Sequence, residues 1–373
     1  MADDIFVTRP YLPPLDEFKD LLTQIWESGV LTNSGPYHQK LEATLCEVLK
    51  VPYISLFNNA TIALIVSLRA LGIKGEVITT PYSFVATAHS ILWTDCTPVF
   101  VDVEAESLNL DPAQIEAAIT PKTAAILPVH CYGHPADVDA IDAIGTRHGI
   151  PVIYDAAHAF GVDCHCGSVL THGDLSVLSF HATKVFNTFE GGAIVCKTPE
   201  MKRYIDQLKN FGHDGEVSVI ETGINGKMSE INAAFGLLQL NYVDEAISKR
   251  AAIDARYRRE LAGIPGLQCL GHTGQMRQNH AYFPIRVKAT FPLSRDALYH
   301  YMKERGVHPR RYFYPLISDF PMYRRFPSAD PARFPNAVAG AAEILCLPIY
   351  PDLDEASVTR IIGLLHDAAA SGA

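Results

Sequence analysis

Long apolar runs and blocks of basic residues are both missing from this chain of 373 residues. No apolar run approaches the ~18 residues that span a bilayer, and residues 1–4 do not begin a basic stretch followed by an apolar one. We therefore expect a soluble, cytoplasmic protein that contacts no membrane. With 31 Lys and Arg against 41 Asp and Glu, the formal net charge of −10 argues against nucleic acid as a partner. An anionic small molecule stays possible, because backbone amides can bind a phosphate whatever the net charge.

A disulfide framework is also missing, because the eight cysteines are scattered along the chain and not set at framework spacings. This distribution is typical of reduced thiols in a cytoplasm. One cluster stands apart, because Cys164, His165 and Cys166, with His172 close behind, are soft ligands that could bind zinc. Their spacing matches no common zinc module and the segment has the composition of a surface loop, so we expect no metal there. The role of this loop stays open.

Internal repeats and low-complexity segments are also lacking, and the chain instead alternates apolar β-rich runs with helical patterns. Helical spacing of apolar residues is found, for example, at 61–71 and 137–148. The β-rich runs are apolar throughout, as expected for strands buried on both faces. Together the two patterns predict an α/β fold with a mainly parallel sheet. The predicted strands are 53–57, 76–79, 98–101, 125–129, 152–154, 175–180 and 192–195.

The chain is longer than the size at which a single hydrophobic core stops growing, so two domains are expected. The alternation of strands and helices thins out after a long helical stretch at 229–261. We predict a large domain with the amino-terminal segment at residues 1–245, and a smaller carboxy-terminal α/β domain at residues 246–373. The smaller domain contains a strand-like run at 281–287 and a helix-like run at 294–305.

Lys184 is the first candidate for chemistry. Ligands in an open α/β sheet bind at the carboxyl ends of the strands, so polar residues just after predicted strands matter most. Lys184 follows the strand at 175–180 through small and hydroxyl residues, and a pair of glycines follows it at 191–192. A lysine in this place can reach a cofactor while the hydroxyls contact a phosphate. Considered alone, it could equally be one of the many lysines that are solvated at a surface.

Asp155 and His158 follow the predicted strand at 152–154. A carboxylate at the end of a buried strand needs a partner, and a protonated pyridine nitrogen is one that fits. A helix-capping aspartate is the alternative. A lone histidine in this position is more often structural than functional.

A polar turn at 58–61 opens the helix after the first predicted strand, and its free amides can bind a phosphate. An ordinary helix cap is the alternative reading of that turn. Phe84 follows the strand at 76–79 and could lie on a flat heteroaromatic cofactor, or simply pack in the core. The turn, the aromatic residue, Asp155 and Lys184 come in that order, each at the end of a predicted strand. This conjunction favours one cofactor site over four separate structural explanations.

On these motifs the chain resembles the DegT/DnrJ/StrS sugar aminotransferases, a family of pyridoxal-phosphate (PLP) enzymes of fold type I. The resemblance implies an aspartate-aminotransferase-like fold, with a large, mainly parallel sheet domain and a smaller carboxy-terminal α/β domain. It covers nearly the whole chain, and each motif alone is weak. The matching segments are 30–36, 58–61, 81–87, 128–133, 155–161, 179–192 and 223–230.

The resemblance also implies roles for individual residues. Lys184 is similar to the Schiff-base lysine, which then moves a proton during the reaction. Asp155 corresponds to the partner of the pyridine nitrogen, and His158 to a residue that packs near the cofactor ring or its hydroxyl. Phe84 corresponds to the residue that covers the ring. Ser179 and the backbone amides of Ala60 and Thr61 correspond to the groups that bind the phosphate of the cofactor.

Further residues are implied for the substrate and for a second subunit. Asn225 matches an asparagine that reaches the phosphate of the neighbouring subunit's cofactor, which implies a homodimer with shared active sites. Lys227 and Tyr314 are assigned to the substrate. The chain departs from the family pattern at Ala60, where glycine is usual, and at Ile317, where histidine is common; whatever that histidine does for substrate, Ile317 cannot do by hydrogen bonding.

The activity implied is PLP-dependent transamination of a nucleotide-linked keto-6-deoxy sugar. The substrates expected are dTDP-4-keto-6-deoxyglucose and L-glutamate, and the amino-sugar product would serve O-antigen or another glycan. Amination at the 3-keto position and UDP- or GDP-linked substrates are alternatives within the family. Relatives that dehydrate the sugar at C3 carry histidine in place of the lysine, so Lys184 argues against that reaction. A PLP-binding regulatory protein without turnover is the alternative from another class.

Overall fold

The computed structural model describes residues 4–271 and 276–371. In neither range does any helix have the length and apolar character needed to cross a bilayer. The strands of these ranges are β1 (Ile5–Phe6), β2 (Tyr53–Phe57), β3 (Glu76–Thr79), β4 (Thr97–Phe100), β5 (Thr123–Leu127), β6 (Ile153–Asp155), β7 (Asp163–Cys164), β8 (Gly167–Ser168), β9 (Leu175–Ser179), β10 (Gly192–Cys196), β11 (Leu267–Cys269), β12 (Phe283–Val287), β13 (Val307–His308) and β14 (Ile344–Leu347). The α-helices are α1 (Leu15–Ser28), α2 (Pro36–Leu49), α3 (Ala60–Ala70), α4 (Ala86–Trp93), α5 (Pro112–Ala118), α6 (Val138–His148), α7 (Pro199–Leu208), α8 (Glu230–Leu240), α9 (Val243–Leu261), α10 (Arg295–Glu304), α11 (Pro335–Glu343) and α12 (Glu355–Ala370).

Seven strands make up the central sheet, in the order β2-β10-β9-β6-β5-β3-β4. Single bridges close the sheet between β5 and β6, where Ile126 pairs with Val152 and Val129 pairs with Asp155. Only β10 of these strands is antiparallel to its neighbours. The predicted α/β class with a mainly parallel sheet is confirmed, and the predicted strand limits differ from the observed ones by at most two residues.

The sheet is buried on both faces because successive residues of a strand point in opposite directions. Ile54, Ile78 and Leu178 lie in one apolar cluster, which helices α2, α6 and α8 cover. Val77 and Val177, their neighbours in sequence, lie in a second cluster under α3, α4 and α7. This arrangement explains why the sequence of these strands is continuously apolar rather than alternating.

The helical stretch predicted at 229–261 is formed by two helices, α8 and α9, with a break at Asn241 and Tyr242. The sequence carries neither glycine nor proline at this point to mark the break. The Tyr242 hydroxyl donates a hydrogen bond to Glu17, and its ring lies 5.9 Å from that of Tyr11. Tyr242 is the N-cap residue of α9 and accepts a backbone hydrogen bond from the Ala246 amide at 3.0 Å.

The carboxy-terminal part has its own apolar cluster, formed around the antiparallel sheet β11-β12-β14 with helices α10 and α12. Strand β1, from the amino terminus, pairs in parallel with β13, and Ile5 packs in this same cluster. The predicted boundary between residues 245 and 246 lies in the first turn of α9. The division into 1–245 and 246–373 stays a prediction.

Candidate active site

A cavity of about 310 Å³ lies where strands β6 and β9 end and helix α3 begins. Seven of the residues predicted from sequence line it together, although they are spread over more than a hundred positions. The fold therefore brings the predicted cofactor residues to one place. Those seven are Ala60, Thr61, Phe84, Asp155, His158, Ser179 and Lys184.

Lys184 reaches the cavity from a turn that follows β9. Its backbone amide donates to the carbonyl of His181 at 2.9 Å, which closes the turn. The Nζ atom lies 3.3 Å from the hydroxyl oxygen of Tyr282. Burial lowers the pKa of Lys184 to about 8, and the negative charge of Asp155 partly opposes this shift. The amine is therefore much closer to neutrality than a solvated lysine, which makes it a usable nucleophile and proton carrier.

Asp155 is the last residue of β6, rather than the first residue after it, and only 5% of it is exposed. Its carboxylate accepts hydrogen bonds from the Thr87 hydroxyl at 2.7 Å and from the Ala157 amide at 3.1 Å. Burial raises the pKa of Asp155, while these hydrogen bonds and the charge of Lys184 act in the opposite direction. The result is a fixed, buried carboxylate that can bind a protonated ring nitrogen.

His158 is buried and lies with its ring against aromatic residues. The ring centroid is 4.8 Å from that of Tyr282, and the ring stacks on Phe313 at 6.0 Å. Burial, followed by the charge of Lys184, lowers the pKa of His158 well below its usual value, so the imidazole is neutral. Its Nδ1 atom is buried and has no hydrogen-bond partner within the described residues. A bound ligand with a polar group would satisfy this atom.

The beginning of α3 forms a pocket for an anion. The Asn59 side chain caps the helix by accepting from the Ile62 amide at 2.9 Å, so the amides of Ala60 and Thr61 are left to face the cavity. A Cβ atom at Gly192 would lie 2.6 Å from the nitrogen of Ala60, which explains the glycine there. Ala60 starts the helix and is absent from the residues with positive φ, so its departure from glycine causes no backbone strain.

Aromatic residues from the carboxy-terminal part complete the cavity, and the sequence reasoning did not assign them a role. These residues are Tyr282, Tyr312 and Phe313. They lie about a hundred positions after Lys184, and only the packing of the two parts of the chain brings them to it. Thr87 was also missed as a partner of Asp155, although it belongs to a matching segment of the sequence. Phe84, which was predicted, lines the cavity and is 59% exposed.

Three predicted residues lie outside this cavity. Asn225 is exposed in the segment before α8. Lys227 donates to the Asn210 side chain at 2.8 Å, on a different surface. Tyr314 is 47% exposed and carries two guanidinium groups over its ring, each at 4.9 Å. Ile317, the departure from the family pattern, is buried in an apolar cluster, and its amide donates to the carbonyl of Pro81.

The geometry fits PLP on two observations beyond the motifs. The Nδ1 atom of His158, buried without a hydrogen-bond partner among the described residues, is available to a polar group of a bound ligand. The close approach of Gly192 to the first residue of α3 leaves that helix end free for a phosphate. Lys184 and Asp155 on the same cavity supply the amine and the carboxylate that such a cofactor needs.

Comparison with known proteins agrees with this geometry. Residues 15–366 match the family described as the DegT/DnrJ/EryC1/StrS aminotransferases. The dTDP-4-amino-4,6-dideoxy-D-glucose transaminase of Shigella dysenteriae is 54% identical over 367 residues, which cover 98% of this chain and 100% of that protein. The structure of DesI in the presence of its TDP-sugar product has a TM-score of 0.95 at 34% identity, with 100% and 94% of the two chains covered. NtdA from Bacillus subtilis, with bound cofactor PMP, has a TM-score of 0.88 at 27% identity, with 95% and 82% covered. The predicted fold is that of these enzymes.

Proposed function

Since this chain belongs to the DegT/DnrJ/EryC1/StrS aminotransferase family, we propose that it transfers the amino group of L-glutamate to the 4-keto group of dTDP-4-keto-6-deoxyglucose. The product would be dTDP-4-amino-4,6-dideoxyglucose. The segments 7–14 and 179–190 resemble the viosamine synthases, which carry out this reaction. The amino sugar would enter a glycan such as the O-antigen of lipopolysaccharide, and the reaction would take place in the cytoplasm.

Lys184 and Asp155 line the same cavity, and this observation is the main support for the proposed class of reaction. The likeness to the Shigella transaminase supports the choice of sugar and nucleotide. A regulatory protein without turnover would have no need for a buried lysine of lowered pKa beside a fixed carboxylate. In a relative that had lost its activity, we would expect such site residues to change before the residues of the core.

PLP, when bound, supplies an electrophilic carbonyl and a ring that withdraws electrons from the reacting carbon. Lys184 would bind it covalently, with the phosphate at the amides of Ala60 and Thr61 and the hydroxyl of Ser179. When it is not bound to the cofactor, the amine of Lys184 would accept and return a proton. A pKa near 8 suits this task, because the amine can then exist in either protonation state near neutral pH.

Asp155 and His158 would fix the charges that surround the cofactor ring. The Asp155 carboxylate, fixed by Thr87 and the Ala157 amide, would hold a proton on the ring nitrogen. The neutral His158 can pack near the ring without adding a competing positive charge. Phe84 and Tyr282 bound the cavity and limit the access of water.

The working unit would be a homodimer in which Asn225 contributes to the neighbouring subunit's site. Asn225 is exposed and does not line the cavity of its own chain. The segment around it carries several exposed apolar side chains, which usually mark an interface. These are Phe211, Val217, Val219, Ile220 and Ile224. Lys227, from the same segment, and Tyr314 would contact the nucleotide sugar.

Product analysis tests this proposal directly. The purified protein is incubated with PLP, L-glutamate and dTDP-4-keto-6-deoxyglucose, and in parallel with the 3-keto isomer and with UDP- and GDP-linked sugars. We expect a 4-amino product from the dTDP-linked 4-keto sugar at a rate well above the others. Turnover of another sugar alone would overturn the substrate assignment. No change in the cofactor spectrum on adding glutamate would overturn transamination itself.

A further inference from the structure

Cys164, Cys166 and His172 form a cluster of metal-binding atoms on the large domain, away from the cavity of Lys184. The two sulfur atoms lie 3.2 Å apart, and the Nε2 atom of His172 lies 3.3 Å from Cys164 Sγ and 3.0 Å from Cys166 Sγ. The strand pair β7 and β8 forms a hairpin that brings the cysteines together, and His172 returns to them after a short 3-10 turn. The predicted surface loop is thus an ordered hairpin, with Cys164 buried.

We propose that this cluster is a site for a borderline-soft divalent cation, Zn²⁺ above all, with a solvent-facing fourth position. In a tetrahedral zinc site the sulfurs lie about 3.8 Å apart, and a sulfur and a nitrogen about 3.5 Å apart, as follows from the usual bond lengths. The three separations here fall short of those values by about 0.2 to 0.6 Å, so small side-chain rotations would admit the ion. Two thiolates would neutralise its charge.

The orientation of His172 is the independent observation that supports a metal. Its Nδ1 atom lies 3.1 Å from a carboxylate oxygen of Asp142. That carboxylate makes Nδ1 the protonated nitrogen, so Nε2 presents its lone pair to both sulfurs. The carboxylate–histidine pair is the arrangement that orients zinc ligands in proteins. The Tyr154 hydroxyl at 3.0 Å and the Gly173 amide at 3.2 Å hold Asp142 in place in turn.

The spacing of these residues led us to expect no metal. The proposed site departs from that expectation for a physical reason. Spacing rules describe common modules, whereas this cluster depends on a hairpin and on a carboxylate from α6, which sequence spacing does not show. A disulfide is a poor alternative, since its sulfurs would lie about 2.0 Å apart. Cys166 is exposed, which leaves room for water as the fourth ligand.

Metal content of matched histidine variants tests the site. The purified holoenzyme is stripped with a chelator, loaded with zinc, desalted and measured by mass spectrometry of the metal. Wild type and His165→Ala should each retain one zinc ion per chain, because His165 faces Asp139 instead of the cluster. His172→Ala and Cys166→Ser should lose at least nine-tenths of it. Equal retention in all four proteins, or none in wild type, would overturn the site.

Affinity and thiol protection give two further readouts, and thiol protection needs no variant that might fail to fold. Removing the supporting carboxylate in Asp142→Asn should weaken zinc binding by about 10- to 100-fold, while Asp139→Asn should leave it unchanged. In wild type, saturating zinc should slow alkylation of Cys166 at least tenfold and leave Cys269 unaffected. Cobalt in place of zinc should give visible bands of a tetrahedral thiolate site. Alkylation of Cys166 at an unchanged rate would refute the proposal, whatever the transaminase assay shows.

Discussion

Lys184 illustrates how burial alone can turn an ordinary side chain into a reactive one. Nothing in its own chemistry distinguishes it from the other lysines of the chain. Its position in the cavity removes water from the amine, and this disfavours the charged form. The nearby carboxylate of Asp155 limits the shift, so the amine stays within reach of physiological pH.

Replacing Lys184 by alanine should abolish turnover, because no other amine among the described residues lines the cavity. Lys197→Ala is the matched control, because Lys197 is an exposed lysine that directly follows strand β10, at the end of that strand opposite Gly192. Transaminase assays should show a loss of at least about 10³-fold for the first variant and none for the second. Borohydride reduction followed by peptide mass spectrometry should link the cofactor to Lys184 only. Transamination retained by Lys184→Ala would refute its role.

The lowered pKa of Lys184 predicts how cofactor loading depends on pH. The neutral amine is the nucleophile, so the rate at which PLP attaches to the cofactor-free protein should rise through pH 8 and then level off. Asp155→Asn should move this midpoint to lower pH, because the charge of Asp155 raises the pKa. A midpoint near 10.5, the usual value for lysine, would contradict the burial argument. Stopped-flow absorbance measures the rate.

The same shift has a consequence for stability. Between pH 8 and 10.5 the unfolded chain holds a proton on Lys184 that the folded, cofactor-free protein does not. The contribution of this group to the free energy of unfolding should therefore rise with pH across that window.

At the scale of elements, the site depends on how closely strand β10 approaches the first turn of α3. Gly192, the first residue of β10, lies against the backbone of Asn59 and Ala60. The absence of a side chain there allows the helix end to point its amides into the cavity. The second glycine of the pair noted in the sequence therefore serves this close approach.

Gly192→Ala should destabilise the protein and weaken cofactor binding. The added Cβ would lie 2.6 Å from the Ala60 nitrogen and 2.8 Å from its Cα, so the helix end must move. We expect a loss of about 1–3 kcal/mol in the free energy of unfolding, and a higher dissociation constant for PLP. Gly363→Ala, in the middle of α12, meets nothing within 4 Å and should be neutral or slightly stabilising. Thermal unfolding and cofactor titration of both variants test this, and equal behaviour would contradict the packing argument.

At the scale of the whole molecule, the site lies between the two parts of the chain. Residues before helix α9 supply the lysine, the carboxylate and the anion pocket, and residues after it supply Tyr282, Tyr312 and Phe313. Asn225 is exposed outside this cavity, and in the proposed homodimer it would contribute to the site of the second subunit.

Complementation between two inactive variants tests whether Asn225 acts across the dimer. Lys184→Ala and Asn225→Asp should each be nearly inactive alone, the second because a carboxylate would repel the phosphate. In a mixture of equal amounts, reassembled by mild unfolding and refolding, half of the dimers should carry one intact site. About a quarter of wild-type activity should return, given the symmetry of a dimer. If Asn225 served its own chain, no activity would return. The control is the same mixture without the unfolding and refolding step, so that the dimers do not exchange subunits.

Much of the fold and of the site could be predicted from the sequence, because those features depend on local patterns. Continuously apolar runs predicted the seven strands, and the expectation that ligands bind near the carboxyl ends of strands singled out Asp155 and Lys184. The Cys164–His172 cluster could only be suspected, since its geometry depends on a hairpin and on Asp142. The break at Asn241 and Tyr242 was not predicted, because neither glycine nor proline marks it in the sequence.

What the sequence determined by itself was the alternation of buried strands and helices, and the residues placed at the ends of those strands. Burial on both faces requires continuous apolarity, and a parallel sheet brings its carboxyl ends to one edge. The tertiary structure determined the surroundings of those residues. It buried the Lys184 amine, placed Tyr282 beside it and oriented His172 through Asp142. These effects depend on desolvation and on contacts between distant segments, which no local pattern contains.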